Sequence, residues 1–116
     1  MGLDFSHGNA HWPYSGFSRF REALAIHEGF FLNDMQGFDG ECSWDAVTSD
    51  IKPLLDHSDC DGELTPEECA RVAPRLRSIL ADWQARGRDT YDVHAGLALA
   101  DAMDDCAKSG ENLEFC

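Results

Sequence analysis

The sequence predicts an all-α fold: a single domain over residues 1–116, with four to five helices around one core. Three observations predict it. Apolar residues recur three and four apart in four separate stretches; these stretches open on capping residues or close on glycine; and strand-like patterning is confined to the two ends. The length of 116 residues suits one modest core, and 43% hydrophobic residues with three tryptophans suffice to fill it.

Taken in order, "LDFS" near the amino terminus and "NLEF" near the carboxyl terminus read as a short two-stranded pairing of the termini. "YSGFSRFREALAIHEGF" is the first helix, with Ser15 as N-cap, an apolar stripe of Phe17, Phe20, Leu24 and His27, and Gly29 as its stop. Phe30, Phe31, Leu32, Met35 and Phe38 follow in a loop too apolar to leave in water, so it folds back on the core. "SWDAVTSDIKPLLDH" predicts a second helix, capped by Ser43, with Trp44, Val47, Ile51, Leu54 and Leu55 inward. Pro53 makes it kink or restart near Asp50. "TPEECARVAPRLRSILADWQARG" is the clearest helix: Thr65 caps it, Pro66 takes the first helical position, and Glu68 completes a capping box. Val72, Leu76, Ile79, Leu80 and Trp83 form its stripe, Pro74 bends it and Gly87 ends it. The fourth helix, "DTYDVHAGLALADAMDDCAKSG", turns Tyr91, His94, Leu97, Ala98, Met103 and Cys106 inward and stops before Gly110.

Residues 56–69, "DHSDCDGELTPEEC", carry acids on alternate positions around Gly62. With Gly62 as the sixth residue of a calcium loop, Asp59 is third, Asp61 fifth, the Glu63 carbonyl seventh, Thr65 ninth and Glu68 twelfth. Over roughly residues 44–80 the chain resembles a single, irregular EF-hand helix–loop–helix, and that resemblance implies a calcium site. His57 departs from the pattern at the first position, where an imidazole is a poor ligand for a hard cation; Asp56 serves instead if the loop is one residue longer. Calcium is therefore expected to bind weakly, or the loop to be structural, since Thr65 and Glu68 are also the two halves of a capping box. "DGECSWD" at 39–45 echoes "DGELTPE" at 61–67. However, Met35, Gly37 and Ala46 stand at ligand positions of that second loop, so shared turn-and-cap chemistry explains the echo better than a second ion site.

His57, Cys60 and Cys69, with Cys42, match no familiar zinc spacing, and zinc is not expected. Asp4, His7 and His11 form either a loop site or a polar segment packed on Trp12. No nucleophile elbow, phosphate loop or activated cysteine is present, so the chain does not read as an enzyme. Five cysteines, an odd number, fit reduced thiols in a cytoplasmic protein. No apolar run is long enough for a membrane span, and the first residues have no secretory pattern. "MGLDFS" fits the minimal myristoylation pattern, which reads as chance without a basic patch.

The net charge is −13, and it is uneven: residues 1–32 carry two basic and three acidic side chains, residues 33–116 seven and nineteen. Such a field repels nucleic acid and anionic membrane and attracts basic protein surfaces. Asp101, Asp104 and Asp105 lie near the end of the fourth helix, against its macrodipole, and are the candidate partner-binding residues. Outside the loop the chain is similar to small acidic proteins of bacteria and their phages. That resemblance supplies no residues and implies a non-enzymatic binding protein. The alternative it leaves is a phage or mobile-element inhibitor, a nucleic-acid mimic of the anti-defence type that blocks a basic groove on a partner.

Overall fold

Capping chemistry and apolar spacing account for most of the elements in the computed structural model, which describes residues 3–8, 10–35, 40–55, 62–87 and 91–115. In chain order they are β1 (Leu3–Asp4), β2 (His11–Trp12), α1 (Tyr14–His27), two 3₁₀ turns at Leu32–Asp34 and Trp44–Ala46, α2 (Lys52–Leu55), β3 (Glu63–Leu64), α3 (Pro66–Ala85), α4 (Tyr91–Ser109) and β4 (Leu113–Glu114). The chain is mostly helical.

Helix α3 matches its sequence pattern closely. The Thr65 hydroxyl accepts from the Glu68 N–H at 3.2 Å and the Glu68 carboxylate accepts from the Thr65 N–H at 2.9 Å, so the capping box is closed at both ends. The helix runs on through Pro74, which faces solvent; the carbonyl that Pro74 leaves without a partner belongs to Ala70, also exposed, where water can satisfy it.

Two sequence expectations are corrected and one resolves into one of its two forms. Helix α1 begins at Tyr14 and its cap is Pro13, not Ser15: the fixed φ of −58° presets the first turn, which the Phe17 N–H closes on the Pro13 carbonyl at 2.9 Å. The second helix restarts near Asp50 rather than kinking, and the segment before it is a 3₁₀ turn. After the 3₁₀ turn the chain extends at Val47, and the Ser49 hydroxyl accepts the Ile51 N–H at 3.2 Å, which restarts the chain as α2 and leaves Pro53 in a first turn where no N–H is missed. In α4, Tyr91 and His94 are exposed, and Leu97 and Ala98 only partly buried; the inner face is Val93, Gly96, Leu99, Ala100, Met103 and Cys106.

Helices α3 and α4 pack as an antiparallel pair, with Cys69 beside Cys106 at one end and Leu80 against Gly96 nearer the other. Burial pushes the Cys69 thiol up to about 12 and the Cys106 thiol upward too, so both behave as small core hydrophobes. One buried cluster runs from Phe5 to Phe115, with Trp12 stacked on Phe20 at 4.8 Å and its indole N–H donated to Asp92 at 3.0 Å. The termini meet, but through a single bridge, Phe5 with Phe115; β1 pairs with β2, and β4 pairs with β3. No helix among the described residues is long and apolar enough to cross a membrane.

A Cβ on Gly96 would lie 2.8 Å from Leu80 Cδ1 and 3.2 Å from Phe20 Cζ. Gly96→Val therefore overpacks the helix crossing, and urea denaturation should show a loss of roughly 2 kcal/mol or more. An unchanged midpoint would mean that the two helices are not this close.

Candidate functional site

The sequence directs attention first to residues 56–68. Of the candidate ligands, Asp56, His57, Asp59 and Asp61 lie outside the described residues, whereas Glu63, Thr65 and Glu68 lie within them. Glu63 sits in β3 opposite Glu114. Because the Phe115 N–H donates to the Gly62 carbonyl at 2.9 Å, the Glu63–Glu114 pair falls at the non-hydrogen-bonded position of the ladder. The backbone groups of Glu63 thus face away from β4. Thr65 and Glu68, by contrast, are engaged with each other in the cap.

A second feature lies just before the same loop. Arg21 of α1 is fully buried; it donates from Nη2 to the Leu55 carbonyl and lies over the Phe17 ring at 5.7 Å. Leu55 is the last residue of α2, so Arg21 ties α1 to the end of that helix. Sequence reading passed over Arg21 because a basic residue in an amphipathic helix ordinarily faces water.

The other sequence candidates separate. Asp101 and Asp104 share one guanidinium: Arg77 reaches both through different nitrogens, each at 2.6 Å. The carboxylates that oppose the α4 macrodipole are thereby compensated from α3, while Asp105 stays exposed. Asp4 pairs across the hairpin with His11 at 2.7 Å, but His7 turns toward Glu111 at 3.5 Å, so the three do not converge. Cys42 is exposed and Cys69 buried. Among the described residues no group of three or more His, Cys, Asp and Glu side chains is arranged to hold a metal ion.

The densest polar cluster is one that sequence reading missed. Glu28, the C-cap residue of α1, has its carboxylate almost wholly buried. Arg75 donates to it from Nε and Nη2, both at 2.6 Å; the Ser49 hydroxyl donates at 2.5 Å; and His27 Nδ1 lies 2.9 Å away. His27 Nε2 is also 3.1 Å from Asp82. Three parts of the chain, the end of α1, the restart before α2 and the middle of α3, are tied at one carboxylate. The bidentate Arg75 fork, ahead of the hydroxyl and the imidazole, holds the Glu28 pKa down from 4.5 to about 2.

This cluster forms the floor of a groove of ≈ 730 Å³, walled by Phe30, Phe31, Met35 and Val47 and edged by Cys42, Ser43, Thr48 and the carboxylates of Asp34 and Asp50. Chemically it offers apolar walls, hydroxyls and two acids. Its guanidinium is already held. Comparison of the chain with protein families, curated proteins and solved structures finds no significant match.

The Glu28 shift gives a pH prediction. The folded pKa lies below the unfolded one, so the contribution is complete above about pH 4.5 and disappears as pH falls toward 2. Denaturant titrations at pH 7 and pH 3 should show Glu28→Gln losing roughly 2–3 kcal/mol at pH 7 and much less at pH 3. Equal losses at both would mean that the carboxylate is not the source.

Proposed function

We propose that this chain is a non-enzymatic acidic binding protein that meets a basic protein surface, and that residues 56–68 act as a turn and helix cap which takes calcium weakly at most. The observation that carries the second part is the closed Thr65–Glu68 capping box, whose two hydrogen bonds engage both residues with each other. A bidentate calcium ligand at Glu68 would have to give up its bond to the Thr65 N–H.

The first part is supported by where the positive charge goes. Arg71, Arg75, Arg77 and Arg86 on and just beyond α3 are all within 3.1 Å of carboxylates of this same chain. Exposed acids such as Glu41, Asp45, Glu67, Asp105 and Glu111 then define the outer field of a protein of charge −13. The inhibitor reading, a mimic of nucleic-acid phosphates, draws on the same field. It rests more on Asp105 than on Asp101 and Asp104, which share the single counter-charge of Arg77.

Calorimetric titration with calcium into the millimolar range should give no saturable heat, and the thermal midpoint should be equal in calcium and in EDTA. Thr65→Ala should cost about 1 kcal/mol in either buffer, the loss of a cap alone. Micromolar calcium affinity, or a Thr65→Ala penalty present only with calcium, would overturn the scaffold reading. Binding to a lysine-only peptide should weaken steeply with salt; no binding at low salt would remove the basic-partner reading.

A further inference from the structure

We propose that the groove between Glu28 and Asp50 docks a segment of a partner protein in which an apolar side chain is flanked by lysine or arginine. This deepens the basic-partner reading above, and rests on it, by giving that partner a place to bind.

The apolar half of the argument starts from Phe31. It is 63% exposed, and Ile26 is 58% exposed; with Tyr91 they are the exposed large hydrophobic residues among those described. Phe31 and Ile26 fall together. Phe31 is a shared wall, lining the ≈ 730 Å³ groove on one side and, with Ile26 and Glu22, a ≈ 70 Å³ cavity on the other. Behind it, Phe30 packs edge-on against Trp44 at 6.0 Å, which makes the wall firm. An exposed apolar ridge beside a groove, rimmed by polar groups, is the usual make-up of a protein-binding surface.

The charge half follows from the Glu28 cluster. Arg75 is the groove's cation and is held by Glu28, so the floor is neutral where an apolar side chain would enter. Among the described residues, the remaining charges on the lining are Asp34 and Asp50, the latter bridged to Arg71 at 2.9 Å, with Glu22 on the far side of the Phe31 ridge. An incoming segment therefore meets an apolar slot with acids around it, and lysine or arginine beside its anchor is the complement. A second copy of the chain fits poorly, because its own groove carries the same acids and each molecule carries −13.

The probe is a short fluorescent peptide with a leucine–phenylalanine pair between lysines, followed by anisotropy against the full chain. The comparisons are the same peptide with glutamates for lysines, and a lysine-only peptide. The mixed peptide should bind best, and Phe31→Ser, with unchanged circular dichroism, should weaken it by about tenfold or more. The same variant should leave the lysine-only peptide unaffected. Three results would overturn the groove proposal: mixed-peptide binding indifferent to Phe31→Ser, equal binding of the glutamate peptide, or a dimer in sedimentation that Phe31→Ser abolishes. If the lysine-only peptide still binds in the first of these, the acidic-binding reading stands and only the groove fails. If neither lysine peptide binds, both fall.

Discussion

The structure depends on one buried carboxylate. Glu28 lies at the C-terminal end of α1, where a negative charge opposes the helix macrodipole, and burial adds a desolvation penalty. It is tolerated because Arg75, Ser49 and His27 surround it with hydrogen bonds, and those partners come from α3, from the chain before α2 and from α1 itself. Removing it would leave a guanidinium without its partner and the α2 restart without its anchor. The same cluster closes the floor of the groove, so one interaction both joins the helices and shapes that surface.

Local chemistry made part of this legible. Helix α3 could be read from its sequence because four signals agree: Thr65 and Glu68 at box spacing, Pro66 at the first turn, an apolar stripe, and Gly87 at the end, where φ is +85°. Helix α4 existed where expected but with its face misassigned. "AGLALADA" is small or apolar on every side, so periodicity has little contrast there, and Gly96 is inward only because Leu80 and Phe20 press on it. Ser15 misled because Pro13 can begin a helix without a side-chain cap.

The functional features were less legible for a related reason. The Glu28 cluster joins residues 47 and 21 positions apart, and nothing local marks any of its members. Arg21 and Arg77 likewise acquire their meaning from packing: one as a buried donor to the Leu55 carbonyl, the other as a counter-ion shared by Asp101 and Asp104. The sequence showed that the chain was acidic and that residues 56–68 looked like an ion loop. Packing shows which arginines are engaged with carboxylates of the same chain.

The central claim is that Glu28 and Arg75 act as one unit. A double-mutant cycle with Glu28→Gln, Arg75→Met and both together, followed by urea denaturation at pH 7, tests it most directly. The account predicts a coupling of roughly 2 kcal/mol, with the double variant more stable than the sum of the single losses implies. Additive losses, with coupling below about 0.5 kcal/mol, would contradict it.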